Sequence, residues 1–317
     1  MDRPPDLRAI REAHARIRPH VHRTPVLTCS ALDRLAGARL FFKCENFQKV
    51  GAFKARGACN AVFSLADDEA LSGVVTHSSG NHAAALSLAA ARRRIPAYLV
   101  MPSNAPQVKR KAVAAYGGRI VWCEPTLAAR EETCARIMAE TGARLVHPYN
   151  DYRVMAGQGT AALELLEEVG ELDVVVVPVG GGGLLSGTAL AAKGLKPGVR
   201  VVGAEPAGAD DAWRSFKSGE LQPMPNPETV ADGLRTALGT LTFPIIRSHV
   251  DDIVTTSEAA IIDAMRKTWE LMKIVIEASS AVPLAAILEG RLALAGCRVG
   301  IILSGGNVDL DRLPWRP

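Results

Sequence analysis

The segment VVVVPVGGGGLLSG, residues 174–187, decides the fold class that this chain is expected to adopt. It begins as a continuous apolar run, typical of a strand buried in a parallel sheet, and passes through four glycines into a helix-like run. Glycines let backbone N–H groups approach an anion closely, and a helix N-terminus favours negative charge. The segment therefore predicts a phosphate cradle. It lacks the Lys-Ser/Thr of a nucleotide P-loop and the spacing of a dinucleotide fingerprint.

Strand-like and helix-like patterns alternate on both sides of this segment. Such alternation predicts a parallel sheet with helices on both faces, and hence an α/β fold. The expected strands are 39–45, 73–78, 97–102, 119–124, 144–149, 174–179, 200–205, 251–256 and 297–304. The main expected helices are 6–18, 81–93, 155–169 and 184–193, and a proline-rich loop is expected at 222–227.

A second stretch, VGAFKARGA at residues 50–58, places one lysine among small and apolar residues just before a helix-like run. A lysine that loses hydration favours its neutral, nucleophilic form, which makes a Schiff base with a carbonyl. Alone, Lys54 would more often be an ordinary surface residue. Together with a phosphate cradle that has no nucleotide motif, it indicates pyridoxal phosphate as the cofactor.

The chain resembles the fold type II pyridoxal-phosphate enzymes, which share the architecture of tryptophan synthase β, and within them the serine/threonine dehydratase and serine racemase family. The motifs that carry the resemblance span most of the chain in family order. They are Phe42-Lys43-Cys44-Glu45, residues 51–58, Ser78-Ser79-Gly80-Asn81-His82, Ala156-Gly157-Gln158-Gly159-Thr160, Gly180-Gly181-Gly182-Gly183, Ala231-Asp232-Gly233 and Ser304-Gly305-Gly306-Asn307.

The resemblance implies two parallel-sheet α/β domains with the cofactor in the cleft between them. Residues 1–71 and 151–317 would form a large, discontinuous domain, and residues 72–150 a small one. Lys54, flanked by Phe53, would carry the cofactor, and Ser304 would bond its pyridine nitrogen. Gly180, Gly181, Gly182, Gly183 and Leu184 would hold the phosphate, and Asn81 would contact the 3′ oxygen.

The substrate residues follow from the same resemblance. A strand ends and a helix begins at Ser78, Ser79, Gly80, Asn81 and His82, so their N–H groups and hydroxyls are placed to meet a carboxylate. Simple N-capping is the other interpretation, and the two can hold together. Ser79 would lie opposite Lys54 across the substrate, as the second acid/base of the racemases. Arg130 corresponds to a racemase arginine that binds substrate carboxylate, although an exposed helix arginine is an equally ordinary interpretation.

A divalent-cation site is also implied. Glu205 and Asp211 would supply carboxylates and Ala209 a backbone carbonyl, in a loop that closes a strand. Hard oxygen ligands of this kind suit Mg²⁺, Mn²⁺ or Ca²⁺. Without the resemblance, two acids six residues apart would indicate only a helix cap.

Composition excludes several other classes of protein. The 317 residues are 48% hydrophobic, and the net charge is only +4, from 37 basic and 33 acidic residues. Basic clusters are short, so no nucleic-acid partner is expected. No apolar run approaches the ~20 residues of a membrane span, and no secretory h-region is visible. The six cysteines, 29, 44, 59, 123, 134 and 297, contain no C-x-x-C pair, which favours a reduced, cytoplasmic protein.

The expected activity is that of a β-hydroxy amino acid dehydratase acting on L-serine or L-threonine, with 3-hydroxyaspartate or a bulkier β-hydroxy amino acid as open alternatives. A racemase using Lys54 and Ser79 on opposite faces is the close alternative, and a cofactor-binding protein without turnover is a third. Tyr149, Ala84 and Ala237 depart from the mammalian racemase pattern and weaken transfer of racemase-specific behaviour. Family members are commonly dimers, so a homodimer is expected.

Overall fold

The computed structural model of the protein describes residues 3–78, 80–104 and 107–315. Ten strands occur in these ranges: β1 (Val26–Leu27), β2 (Arg39–Cys44), β3 (Val74–His77), β4 (Ala97–Pro102), β5 (Arg119–Cys123), β6 (Arg144–Leu145), β7 (Val174–Pro178), β8 (Arg200–Pro206), β9 (Asp252–Thr256) and β10 (Arg298–Leu303). The α/β fold class with parallel sheets is confirmed.

Thirteen α-helices connect and cover these strands within the described ranges. They are α1 (Leu7–Ile17), α2 (Ser30–Ala36), α3 (Lys54–Phe63), α4 (Asp67–Leu71), α5 (Asn81–Arg93), α6 (Gln107–Ala115), α7 (Leu127–Thr141), α8 (Tyr152–Val169), α9 (Gly183–Leu195), α10 (Asp211–Ser218), α11 (Thr242–His249), α12 (Glu258–Lys267) and α13 (Ala278–Leu288). The proline-rich segment 222–227 has no regular structure, as expected.

The strands form a six-stranded sheet in the order β1-β2-β10-β7-β8-β9 and a four-stranded sheet in the order β5-β4-β3-β6. All neighbours pair in parallel except β1, which runs antiparallel to β2 at the edge of the larger sheet. The smaller sheet is built wholly from residues 74–145. The carboxyl ends of parallel strands share one edge, which is where open α/β sheets bind ligands.

Strand β7 lies in the middle of the larger sheet and is buried on both faces. Val175 and Val177 pack in one hydrophobic cluster, and Val174 and Val176 in the cluster on the opposite face. This two-sided burial explains why the strand is a continuous valine run rather than an alternating one.

Helices α3 and α8 pack unusually closely because the facing positions are glycines. A Cβ at Gly157 would lie 2.6 Å from the carbonyl oxygen of Arg56, and one at Gly57 would overlap the side chain of Gln158. The Gln158 amide oxygen also accepts the Gly57 N–H at 3.1 Å. The Ala156–Thr160 motif therefore holds α3, and with it the lysine at its N-terminus.

One predicted strand is wrong over most of its length. The segment 144–149 was expected to be extended, but only Arg144–Leu145 pairs in the sheet. The Val146 N–H still donates to the Val75 carbonyl of β3 at 2.9 Å, and residues 147–150 then form an irregular turn. Among the described residues, no helix is long and apolar enough to cross a membrane.

Candidate active site

Lys54 begins α3 at the carboxyl edge of the larger sheet. The loop before it is tied to the segment after β10, because Ala52 pairs with Gly305 and the Phe53 N–H donates to the Ser304 carbonyl at 3.0 Å. The Lys54 Nζ donates to the Pro148 carbonyl oxygen at 2.9 Å. Burial lowers the pKa of this amine to about 8, although Glu277 opposes the shift. A useful fraction of Lys54 is therefore neutral at physiological pH.

A buried cluster of charges fixes the first turn of α3 beneath this lysine. The Arg56 guanidinium donates to Glu45 at 2.7 Å and 2.8 Å and to Glu164 at 2.9 Å and 2.8 Å. The Lys43 Nζ reaches the same Glu164 at 2.7 Å. All four side chains are at most 2% exposed, and their formal charges cancel. This cluster joins β2 to α3 and α8 and leaves Lys54 little freedom at its backbone.

The four glycines form the expected turn between β7 and α9. Gly182 has φ +86°, a left-handed conformation that favours glycine. A Cβ at Gly181 would overlap the ring of Tyr149, and one at Gly183 would lie 3.0 Å from the Tyr149 Cβ. The backbone is thus closely covered on one side. The first N–H groups of α9 have no partner within the helix and are available to an anion.

Ser304 follows β10 and is 2% exposed. Its Oγ lies 3.1 Å from the Oγ of Ser280, which itself donates to the Gly305 carbonyl and accepts the Gly305 N–H, both at 2.6 Å. Because the Ser280 proton is committed to that carbonyl, the Ser304 hydroxyl is the donor in the contact between the two hydroxyls. It is a neutral donor, and the carboxylate that would keep a pyridine nitrogen protonated is absent from this position.

The segment after β3 brings its predicted residues to the N-terminus of α5, except Ser79, which lies outside the described residues. The Gly80 N–H points to the Ser78 Oγ at 3.4 Å, which is a weak contact. The Asn81 amide donates to both oxygens of Glu277 at 3.1 Å and 3.2 Å and accepts from Asn307 at 2.9 Å. Glu277 was not anticipated, and no motif in the sequence pointed to it.

His82 is buried beside the same site. Its Nε2 contacts the Val146 carbonyl at 3.0 Å, so this nitrogen carries the proton, and its Nδ1 has no hydrogen-bond partner. Burial, followed by the charge of Lys54, holds the pKa of His82 well below its ordinary value. The imidazole is therefore neutral, with an unpartnered acceptor.

Arg130 lies in the first turns of α7, on the four-stranded sheet. Its Nε is buried without a hydrogen-bond partner. Its charge acts on the nearby His77, which ends β3 beside Ser78, and on the Cys123 thiol. A buried guanidinium nitrogen with no partner is an available anion donor, which suits the predicted carboxylate contact.

The loop after β8 brings Glu205 and Asp211 together. Glu205 accepts the N–H groups of Ala212 and Trp213 at 3.1 Å and 2.9 Å, and the Asp211 Oδ2 accepts that of Leu238 at 2.9 Å. The Asp211 Oδ1 is buried without a partner. Burial raises the pKa of Asp211 to about 6, and burial together with the Asp211 charge raises that of Glu205 well above its ordinary value.

The carboxylate oxygens of Glu205 and Asp211 are hard ligands, which suit a divalent cation. Residues 3–78, 80–104 and 107–315 contain no group of three or more His, Cys, Asp or Glu side chains able to hold a metal ion. A cation at Glu205 and Asp211 would therefore need backbone oxygen, such as that of Ala209, and water to complete its shell.

The residues present suit pyridoxal phosphate. A lysine amine of lowered pKa, a glycine turn at a helix N-terminus and a neutral buried hydroxyl lie in one connected set of contacts. Lys54 contacts Pro148, the neighbouring Tyr149 covers Gly181, and the loop before Lys54 is bonded to Ser304.

Comparison with known proteins gives a family that uses the same cofactor. Residues 17–305 match the model of the pyridoxal-phosphate dependent enzyme family. The chain is 58% identical over 303 residues to the β-hydroxyaspartate dehydratase of Paracoccus denitrificans, covering 96% of each chain. It is 54% identical over 313 residues to the serine racemase of Arabidopsis thaliana, covering 97% of this chain and 95% of that one. The structure of maize serine racemase superposes with a TM-score of 0.95 at 50% identity, covering 98% of this chain and 95% of that one.

Proposed function

The chain belongs to the pyridoxal-phosphate dependent enzymes, and from this premise we propose that it is a dehydratase of β-hydroxy amino acids, which releases a 2-oxo acid and ammonia. The observation that carries the proposal is the Lys54 amine, whose pKa is lowered by burial to about 8 and which is held 2.9 Å from the Pro148 carbonyl beside the glycine turn. Such an amine is a base poised near physiological pH.

The cofactor would be held by residues already described. Lys54 would carry the cofactor, with Phe53 beside it. Gly180–Gly183 and Leu184 would bind the phosphate, Ser304 would bond the ring nitrogen, and Asn81 would contact the 3′ oxygen. When bound, pyridoxal phosphate supplies a conjugated ring that accepts the electron pair left after loss of the substrate α proton.

The protein side chains then supply orientation and proton transfer. The N-terminus of α5, with Ser78, Gly80, Asn81 and His82, would orient the substrate carboxylate. The free Lys54 amine would take the α proton, and the β hydroxyl would leave with a proton as water. Hydrolysis of the remaining C=N bond consumes one water, so serine yields pyruvate and ammonia without any oxidant or reductant.

Two measurements test the assignment. Borohydride reduction of the loaded protein followed by peptide mapping should label Lys54. In a separate assay with unreduced loaded protein, a panel of β-hydroxy amino acids should yield a 2-oxo acid and ammonia in equal amounts. Labelling of another lysine, or cofactor binding with no product from any member of the panel, would contradict the proposal.

Serine racemization is the second candidate function, supported by the Arabidopsis thaliana serine racemase at 54% identity. It would need Ser79 as a second acid/base opposite Lys54. Incubation with L-serine in deuterated water separates the two activities. Deuterated D-serine indicates a racemase, and pyruvate without D-serine indicates a dehydratase.

Arg130 would bind a carboxylate on the β carbon of the substrate. The Paracoccus denitrificans relative named for β-hydroxyaspartate, together with the unpartnered Arg130 Nε, favours a substrate with a second carboxylate. If Arg130 binds that carboxylate, Arg130→Met should lower kcat/KM for 3-hydroxyaspartate far more than for serine. Equal losses for both substrates would place Arg130 on the α carboxylate instead.

A divalent cation at Glu205, Ala209 and Asp211 is the second cofactor that we propose, supported by the unpartnered Asp211 Oδ1. Chelation followed by elemental analysis should remove one equivalent of metal and lower the melting temperature. An unchanged metal content and melting temperature would exclude it.

We propose further that residues 72–150 form the small domain, supported by the separate sheet of residues 74–145. A homodimer is supported by two exposed apolar side chains, Phe47 at 46% and Val275 at 44% exposure. The residue before Phe47, Asn46, donates to the Val275 carbonyl at 3.1 Å. Light scattering of the holoprotein tests the dimer. Cytoplasmic location stays a prediction from cysteine content.

A further inference from the structure

Residues 146–150, which we call the histidine turn, connect β6 to α8 and touch His82, Lys54 and the glycine turn of the candidate active site. The Val146 carbonyl accepts from His82 at 3.0 Å, and the Pro148 carbonyl accepts from Lys54 at 2.9 Å. The ring of Tyr149 covers Gly181. The shape of this short turn therefore sets where the Lys54 amine points and what lies over the phosphate loop.

Beyond Val146, whose N–H donates to the Val75 carbonyl of β3 at 2.9 Å, the turn is held by a side chain. The Nδ1 of His147 accepts the backbone N–H of Asn150 at 2.9 Å and that of Tyr149 at 3.3 Å. Because both partners are donors, Nδ1 must carry the lone pair and the proton must reside on Nε2. Burial, and then the charges of His77 and Lys54, lower the pKa of His147 to about 4, while Asp151 opposes the shift. The ring is neutral at pH 7.

We propose that His147 is a positioning residue for Lys54. Its Nδ1 fixes the histidine turn so that the Pro148 carbonyl receives the amine and the Tyr149 ring stays on Gly181. The imidazole bonds to the backbone of the turn and the Lys54 amine bonds to the Pro148 carbonyl, so the effect of His147 on that amine is exerted through the turn. This inference rests on the proposed function in one respect, namely that Lys54 is the lysine that carries the cofactor.

A simple packing role is the competing explanation. The His147 ring stands edge-on to His77, with centroids 5.1 Å apart, and edge-on to Tyr149 at 4.6 Å. Two substitutions separate the explanations. His147→Asn keeps an acceptor near the position of Nδ1 but removes the ring. His147→Phe keeps an aromatic ring but removes the acceptor.

The experiment follows the rate at which cofactor-free protein binds added pyridoxal phosphate to lysine, read from the absorbance of the lysine-bound cofactor. Misplacement of a reacting group by about 1 Å can cost up to a hundredfold. We expect His147→Phe to be slower by about tenfold or more, and His147→Asn to stay within about twofold of wild type. Equal rates in all three proteins, or a His147→Asn variant as slow as His147→Phe, would overturn the positioning role.

A measurement on the unaltered protein guards against a variant that does not fold. Ring ¹⁵N NMR at neutral pH should show His147 protonated on Nε2, with Nδ1 as a hydrogen-bonded acceptor. A proton on Nδ1 would overturn the inference. Borohydride labelling distinguishes a failure of the proposed function from a failure of the positioning role of His147. Labelling of a lysine other than Lys54 in the wild type overturns the proposed function and this inference with it, whereas normal labelling with unaltered variant rates overturns this inference alone.

Discussion

The hydroxyl of Thr242 donates to the Gly181 carbonyl oxygen at 2.9 Å and accepts the Gly239 N–H at 2.9 Å. Thr242 is fully buried at the start of α11, so these bonds tie the glycine turn to the segment before that helix. The side chains of Leu238 and Ile246 fill the space beside Gly182. The phosphate loop is therefore supported from behind by a packed and hydrogen-bonded layer.

Thr242→Val should weaken cofactor binding, because the Gly181 carbonyl and the Gly239 N–H lose their partner in a buried place. Each unsatisfied buried group costs about 1–3 kcal/mol. We expect a lower melting temperature and a higher Kd for pyridoxal phosphate, measured by absorbance titration of cofactor-free protein. Thr242→Ser keeps the hydroxyl and should retain the affinity. Equal Kd values for the valine and serine variants would show that the hydroxyl does not support the loop.

Gly181→Ala should nearly abolish cofactor binding. The new methyl group would overlap the ring of Tyr149, which is packed against His147, so either the ring or the loop must move. Gly198→Ala is the matched control, since a Cβ there meets nothing within 4 Å and its φ is not positive. Equilibrium dialysis against pyridoxal phosphate measures both variants. Wild-type cofactor content in Gly181→Ala would mean that Tyr149 is free to leave the loop.

Where sequence periodicity and end signals agree, the elements were predicted closely. Helix α5 spans Asn81–Arg93 and strand β4 spans Ala97–Pro102, both as expected. The glycine turn between β7 and α9 was also anticipated, because glycines between a strand and a helix have few other uses. These features depend on residues that are near one another in the chain.

Features that depend on distant partners could not be predicted in the same way. The end of β6 at Leu145 reflects hydrogen bonds to the His147 ring, and no residue pattern announces them. Glu164 binds Lys43 across 121 residues and Arg56 across 108, and in sequence it is one of several acidic residues on a helix. Only folding shows that it is the buried one.

If the proposed divalent cation binds at Asp211, its removal should make stability depend on pH through that carboxyl. Burial raises the pKa of Asp211 from about 3.8 to about 6, so the folded state holds a proton that the unfolded state has already lost. The contribution of Asp211 to the free energy of unfolding is therefore fully present below about pH 4 and is lost as the pH rises through 6. For a shift of this size the contribution is up to about 3 kcal/mol. Melting temperatures of chelated protein between pH 4 and pH 8 measure the effect.

The variant Asp211→Asn removes this ionisation and separates it from other titrations. Without cation it should be more stable than wild type at pH 8, and Mg²⁺ should raise the melting temperature of wild type only. If Mg²⁺ raised the melting temperature of both proteins equally, Asp211 would not be a ligand.

Glu164→Gln should be strongly destabilising, because it leaves Lys43 and Arg56 buried with one carboxylate fewer. Breaking a buried ion pair in this way costs about 3–5 kcal/mol. Glu167→Gln on the same helix is the control. Glu167 is 43% exposed and lies 3.8 Å from Arg23, and exposed pairs contribute about 0–1 kcal/mol. Urea unfolding at pH 7 measures both free energies of unfolding.

The same pair of variants tests how the free energy of unfolding falls at acid pH. Burial alone would raise the pKa of Glu164, but hydrogen bonds from His14 and Arg56 and the charges of Arg56 and Lys43 hold it well below its ordinary value. The unfolded chain therefore takes up a proton near pH 4.5 that the folded chain refuses, so this contribution is present above pH 4.5 and is lost as pH falls. Wild type and Glu167→Gln should lose stability steeply between pH 5 and pH 3, whereas Glu164→Gln should show a shallower slope. Parallel slopes in all three would mean that Glu164 is already protonated in the folded protein, and the buried cluster would then carry a net positive charge beneath Lys54.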